Sequence, residues 1–263
     1  MIRPSAGVIL PAYTLWWREI VRFYRQPGRV IGVLASPLVF WLVLGSGFGN
    51  SLRSTGGTQQ HYLDYFYPGT LILIVLFTSI FTMMSVIEDR KEGFLLSVLV
   101  APVPRTAIVL GKVLGGTTLS AVQGLLFLIF APFAGVQLHP IQVLLVAVVV
   151  FLVAFSLTAL GFAIAWPMDS SQAFHGIVNL FLIPLWLLSG ALFPLDGASP
   201  WIRAIMHLNP LTYGVKALRW LLYPAQDSTF AVNSAMATLV LFSLVMFALA
   251  LLMVNRRTTR PAA

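Results

Sequence analysis

Residues 113–168 read VLGGTTLSAVQGLLFLIFAPFAGVQLHPIQVLLVAVVVFLVAFSLTALGFAIAWPM, a run without one Asp, Glu, Lys or Arg. At 1.5 Å rise per residue a single helix over this run reaches about 84 Å, whereas a bilayer hydrocarbon core is about 30 Å thick. The run must therefore fold back on itself. The segment from Gly135 to Pro140 is the turn: Gly135 tolerates unusual backbone angles, Gln137 and His139 suit a polar boundary, and Pro140 fits the first position of a returning helix. Four other charge-free runs, 30–52, 65–87, 170–195 and 228–255, are each of single-crossing length. Together these runs predict six spans, at about 30–50, 66–87, 108–133, 141–166, 173–193 and 229–254, in an all-α polytopic membrane protein.

Composition agrees. With 59% hydrophobic and 9% charged residues, the 263-residue chain carries more apolar surface than one soluble core hides. Zero cysteines exclude disulfides, thiolate chemistry and sulfur-ligated zinc. The net charge of +8 is read as orientation in the membrane and attraction to anionic lipid, not as nucleic-acid binding. The first 29 residues hold five arginines and no compact apolar core with a small-residue cleavage site, so they do not read as a cleaved signal peptide. Lys and Arg fall twelve to four between the two sides of the six-span topology. The positive-inside rule then places the chain in the cell membrane with both termini and the 88–112 region in the cytoplasm.

Before the first span, Arg18, Arg22, Arg25 and Arg29 share one helical face, and Tyr13, Trp16, Trp17, Ile20 and Tyr24 mark another. This describes a helix along the membrane surface, arginines toward lipid phosphates, with Pro27-Gly28 as the bend into the first span. Anchoring and partner docking both fit it.

After the second span comes an elbow, Glu88-Asp89-Arg90-Lys91-Glu92-Gly93, then an apolar stretch, Phe94 to Val100, and Ala101-Pro102-Val103-Pro104-Arg105. As a helix, the stretch places Phe94, Leu95, Val98 and Leu99 on one apolar face, and the prolines force an extended exit. From the residues alone, a coupling lever and an ordinary cluster of charges at a membrane boundary are both open. On the other side, Ser199-Pro200 and Asn209-Pro210 are two helix-start signals, each a capping residue before a first-position proline. They predict two short helices ended by Tyr223-Pro224, with Lys216 and Arg219 on the polar side of the second. A hairpin dipping into the outer leaflet and an amphipathic surface loop both satisfy this pattern.

Those segments, with Leu110-Gly111-Lys112, Leu188-Ser189-Gly190-Ala191-Leu192-Phe193-Pro194-Leu195 and Leu208-Asn209-Pro210-Leu211-Thr212-Tyr213, resemble the permease subunit of type-2 ATP-binding-cassette exporters over nearly the whole chain. The resemblance implies an interface helix before six spans, a cytoplasmic coupling helix docking on a separate ATPase subunit, and an outer re-entrant hairpin. It also implies a second permease copy, or a related chain, and membrane lipids as neighbours. The docking residues so implied are Glu88, Asp89, Arg90, Lys91, Glu92, Gly93 and Arg105; the hairpin or gate residues are Ser199, Pro200, Asn209, Pro210 and Tyr213. Many family members carry Thr-Leu-Glu after the elbow glycine, where this chain has Phe94-Leu95-Leu96, so ion pairing at the docking surface is expected to differ.

No catalytic, cofactor or metal residue is expected. Gly45-Ser46-Gly47-Phe48-Gly49-Asn50 lacks the last glycine of a dinucleotide loop, and Gly111-Lys112 lacks the upstream glycine and following Ser/Thr of a phosphate loop, so this chain is not expected to bind ATP itself; the resemblance implies that ATP is bound by the partner subunit. The spacings Gly45 to Gly49 and Gly111 to Gly115 allow close helix approach without assigning an interface. His61, His139, His175 and His207 show no metal-ligand spacing. The spans offer neutral polar groups such as Gln123 and Asn179 and no facing ionisable groups, which argues against an intramembrane enzyme. It also argues against a proton-coupled carrier or charged-ring channel. Pro37, Pro132 and Pro184 are expected kinks; Asn179 and Pro184 are pathway candidates. The apolar pathway favours a drug or lipid-linked cargo, with polysaccharide or glycoconjugate export as the alternative, and a free-standing secondary carrier or channel as the reading from another class.

Overall fold

A computed structural model describes residues 7–48, 62–223 and 229–255, among which every regular element is helical. Gly49, Asn50, the Arg53 loop, His61, Pro224 and the basic residues Arg3, Arg256, Arg257 and Arg260 lie outside the described residues. In chain order the helices are α1 (Ile9–Tyr24), α2 (Pro27–Phe48), α3 (Tyr62–Thr82), α4 (Met84–Lys91), α5 (Phe94–Val100) and α6 (Arg105–Phe127). They continue with α7 (Pro140–Ala165), α8 (Ser171–Ile177), α9 (Ile183–Trp186), α10 (Pro200–Leu208), α11 (Pro210–Leu222) and α12 (Thr229–Asn255).

Among the described residues, five helical stretches are long and apolar enough to cross a membrane: Tyr62–Lys91, Arg105–Ala134, Pro140–Ala165, Ser171–Ala191 and Asn233–Asn255. The expected first crossing falls on α2, whose apolar stretch within the described residues is the shorter Leu34–Gly47. The long charge-free run does turn back. Its first half, α6, tightens into a 3₁₀ segment, Leu128–Ala134, that contains Pro132 and ends at Gly135 with φ +66°. Pro140 then opens α7 behind a capping box formed by His139 and Gln142.

Packing is centred on α3. Its most apolar stretch is 83% buried, against 22% for that of α12, because α2, α6, α7 and α11 all pack on it. A helix enclosed on every side has no polar face to keep, and α3 is apolar all round for that reason. The hydroxyls of Thr70, Thr78, Thr117, Ser120 and Thr158 bond back to carbonyls of their own helices, and the single proton of Thr78 is shared between the Ile74 carbonyl and Gln123 Oε1, which lies 2.5 Å from its oxygen. Neutral polar side chains are thus accommodated in the bundle interior without charge.

The fifth crossing is the irregular one. Between α8 and α9, and again after α9, the backbone widens into π-helical turns, Val178–Leu182 and Leu187–Ala191, on either side of Pro184. Pro184 sits in the first turn of α9, and the break in this crossing comes later, at Leu188 and Gly190, the latter with φ +81°, where no kink was expected from the sequence.

Candidate functional site

The elbow is a helix–turn–helix. Glu92 and Gly93 bond back to the carbonyls of Glu88 and Arg90, and Gly93, at φ +78°, turns the chain from α4 into α5. A side chain other than glycine is disfavoured in that left-handed conformation. Pro104 holds the extended link before α6.

The charges of the elbow face largely inward, onto α1 and α6. Arg18 donates a two-pronged pair to Asp89, Nη1 to Oδ2 at 2.8 Å and Nη2 to Oδ1 at 2.7 Å. Arg22 donates to Asp89 Oδ1 at 2.8 Å and to Glu88 Oε2 at 2.7 Å. From the other side Lys112 Nζ donates to Glu19 Oε1 at 2.6 Å, to Ser85 Oγ at 3.1 Å and to Asp89 Oδ2. Asp89 is 0% exposed, Lys112 1% and Glu19 4%. All three ammonium protons of Lys112 are therefore used, and three cations meet the three acids Glu19, Glu88 and Asp89. Ions this deeply withdrawn from water are tolerable only with such near-complete pairing. The hydrogen bond to Asp89 holds the Arg18 guanidinium above its ordinary pKa, against the opposing pull of burial.

Backbone proximity makes the clasp possible. A Cβ on Gly111 would lie 2.6 Å from Leu15 Cβ and 2.7 Å from the Ala12 carbonyl oxygen, and one on Gly115 would lie 2.8 Å from Glu19 Cβ. The Gly111 to Gly115 spacing, left without an interface above, is the seat of α1 on α6. Trp16 Nε1 closes the same contact by donating to Thr118 Oγ1 at 3.0 Å. The Arg18 guanidinium also stacks 3.7 Å from the centre of the Phe94 ring, so α1 grips α5 as well as α4.

Two sequence expectations are corrected here. Arg18 and Arg22 do not point to lipid phosphates but to acids of the same chain, while Arg25, Tyr13, Trp17 and Tyr24 remain exposed. Facing ionisable groups do exist at this end of the bundle: Glu19 is brought beside Lys112 by the docking of α1, a contact between residues far apart in sequence. Glu19 and Lys112 were missed as site residues. The available signal was that Glu19 is the sole acid before Asp64, and Lys112 the sole Lys or Arg between Arg105 and Arg203.

Arg90 and Arg105 are also engaged within the chain. Arg90 donates to the carbonyls of Met168 at 3.0 Å and Trp166, and to Asp169 Oδ1 at 3.1 Å, which ties α4 to the turn between α7 and α8. Arg105 donates to the Val254 carbonyl at 2.8 Å, at the end of α12. Of the seven expected docking residues, Asp89 therefore offers no surface, and Glu88, Arg90 and Arg105 are committed to intramolecular bonds. Lys91 and Glu92 stay exposed. On α5, Leu95 is buried, whereas Leu96 and Val100 are 61% and 86% exposed and Leu99 is also exposed. The outward face is thus made of Leu96, Leu99 and Val100, not of Phe94 and Leu95.

At the opposite end both helix starts occur where Ser199-Pro200 and Asn209-Pro210 mark them. Asn209 caps α11 by accepting from Leu211 N at 2.9 Å; Ser199 makes no side-chain cap. Tyr213 donates to the His207 carbonyl at 2.9 Å across the two helices. Lys216 is exposed, but Arg219 is not on a polar face: it turns inward to the Gly190 carbonyl at 3.0 Å and lies 4.1 Å over the Tyr65 ring. Asn179 and Pro184 are both exposed on the fifth crossing, far along the chain from the elbow cluster.

With this geometry in view, residues 12–223 match the model of the ABC-2 type transporter family. The chain belongs to that family. Its relatives include the transport permease ycf38 of Cyanophora paradoxa, 29% identical over 234 residues that cover 88% of this chain and 80% of that protein. The inner membrane transport permease YadH of Escherichia coli strain K12 is 27% identical over 215 residues, 79% of this chain and 80% of YadH. Nodulation protein J of Neorhizobium galegae is 24% identical over 254 residues, 94% of this chain and 93% of its own length. This ABC-2 permease is accordingly a multi-pass membrane transport component whose family implies an ABC ATPase as partner.

Proposed function

We propose that the chain is the transmembrane subunit of an ATP-driven exporter, with the elbow end in the cytoplasm and α5 seated on a separate ATPase subunit. The observation that carries this reading is the composition of the surface left over at the elbow. Every charge nearer the bundle is consumed within the chain, and what projects is Leu96, Leu99 and Val100 beside Lys91 and Glu92. An apolar cluster on a water-facing turn marks a protein contact, and its charged neighbours set orientation. ATP binding and hydrolysis then belong to the partner, and this chain transmits motion.

The second proposed partner is another permease copy, the same chain or a related one. Asn179 on an exposed face of the fifth crossing supports it, because an amide at membrane depth is kept where it meets protein or a water-lined cavity rather than lipid. Between two copies, a pathway bordered by Asn179, Pro184, Leu180 and Phe181 suits a hydrophobic or amphipathic cargo such as a drug or lipid-linked molecule. ATP-driven motion of the elbow shifts the population between two packings of the crossings, and the α10–α11 hairpin gates the outer end.

The test is affinity purification of tagged chain from its native membrane, with mass spectrometry for an ABC ATPase. The parent is expected to bring one down, Leu96→Glu combined with Val100→Glu to lose it, and Lys91→Ala to retain most of it. Unchanged recovery of the ATPase with the double variant, or none with the parent, overturns the docking assignment. Reversing Glu88, Asp89 and Glu92 together is a poor test, since it would dismantle the internal clasp before probing any surface.

A further inference from the structure

The outer end of the fifth crossing is broken at Leu188 (φ −88°, ψ 20°) and Gly190 (φ +81°). A broken helix leaves carbonyls without their ladder partners, and at membrane depth they must be satisfied by protein. Here they are satisfied from outside the segment. Asn209 Nδ2 donates to the Leu185 carbonyl at 2.5 Å and to the Leu188 carbonyl at 3.1 Å. The Gly190 carbonyl accepts from Tyr65 Oη and Arg219 Nη2, both at 3.0 Å, and the Leu192 carbonyl accepts from Tyr62 Oη at 3.2 Å. The same Asn209 side chain, 2% exposed, uses its oxygen to cap α11.

Both halves of one amide are therefore committed to different elements. The oxygen starts the second hairpin helix, and the nitrogen closes two carbonyls, that of Leu185 in α9 and that of Leu188 inside the π-helical turn that follows. Close approach of α3 completes the arrangement: a Cβ on Gly69 would lie 2.5 Å from Ala191 Cβ, and Trp186 Nε1 donates to the Gly69 carbonyl at 2.8 Å.

We infer that Asn209 is the positioning residue that stabilises the break in the fifth crossing, so that the α10–α11 hairpin and the outer end of that crossing move as one unit. The consequence for transport rests on the proposed gate role of the hairpin; the linkage itself is a property of this chain alone and is tested without the ATPase or the cargo. An N-cap needs only an acceptor, which Asp and Ser supply as well as Asn. Bridging the two carbonyls needs the pair of N–H donors on Nδ2, which neither replacement carries.

The experiment uses the full chain in lipid nanodiscs. Its lack of cysteine lets Phe181→Cys and Trp201→Cys, both at exposed positions, carry spin labels without background. With Asn209 present, the label-to-label distance distribution is expected to be narrow. In Asn209→Asp and in Asn209→Ser it is expected to broaden, and amide exchange over residues 187–192 to quicken roughly tenfold to a hundredfold, the range set by losing donors to buried carbonyls. Exchange within α11 should stay within about threefold of the parent in both variants, because the cap oxygen is retained. If both variants keep the parent's distance distribution and its exchange over 187–192, Asn209 is a helix cap only and the inference falls. Should Asn209→Asp fail to accumulate in the membrane, Asn209→Ser alone decides.

Discussion

Replacing Lys112 by methionine keeps the length of the side chain and removes the cation at the centre of the elbow clasp. In the parent, Lys112 satisfies Glu19 and shares Asp89 with Arg18 and Arg22. After the change Asp89 keeps its two arginines, whereas Glu19 is left buried with only Arg18 Nη1 at 3.6 Å. Three acids then face two cations. Removing one member of a buried ion pair costs about 3–5 kcal/mol, chiefly because the remaining charge stays buried and uncompensated. Neutralising that charge should return part of the loss, so Lys112→Met combined with Glu19→Gln is expected to be more stable than the single change by about 1–3 kcal/mol, the usual coupling between groups in contact. Glu92→Gln is the matched control. Its carboxylate is 61% exposed and 3.8 Å from Arg22, and an exposed pair of this kind is worth no more than about 1 kcal/mol. The assay is reversible unfolding in mixed detergent–lipid micelles, followed by tryptophan fluorescence and far-UV dichroism at two salt concentrations. The Lys112 effects should be insensitive to salt, because the pair is shielded from it. A Lys112→Met loss below about 0.5 kcal/mol, or strict additivity with Glu19→Gln, would refute the claim that one buried cation holds α1, α4 and α6 together.

Two further outcomes follow from the same geometry. Gly111→Ala should push α1 off α6, since the added methyl lies 2.6 Å from Leu15 Cβ; a loss of about 1–3 kcal/mol and faster amide exchange confined to α1 are expected, read by exchange mass spectrometry. Trp186→Phe removes the donor to the Gly69 carbonyl at 2.8 Å and leaves that buried oxygen without the indole, costing about 1–3 kcal/mol in the same unfolding assay.

Much of the architecture could be read from residue order because it depends on local rules. Charge-free length sets where a chain can cross lipid, and proline after a capping residue sets where a helix can begin. For that reason α7, α10 and α11 start at Pro140, Pro200 and Pro210, and the long run 113–168 folds back at Gly135. The position of the elbow helix was legible for the same reason; which of its faces looks outward was not. Six of the seven residues from Phe94 to Val100 are apolar, so the face read from the spacing, Phe94, Leu95, Val98 and Leu99, has only Ser97 as polar contrast and its direction is not fixed by the stretch itself. Only the arrival of Arg18 over Phe94 decides that Leu96 and Val100 are the exposed ones.

The same division runs through the polar groups. Sequence alone determined that this chain is a bundle of membrane-length helices with one charged elbow and one helical hairpin, because crossing length and helix capping act over neighbouring residues. It could not determine that Glu19 would meet Lys112, that Arg219 would turn inward, or that the nitrogen of Asn209 would close carbonyls of another helix. Those contacts join residues tens of positions apart, and they follow from which helices lie side by side. Each helix carries its own start and length, but the partner of a buried charge or an open carbonyl is supplied by whichever neighbour the packing brings within 3 Å or so.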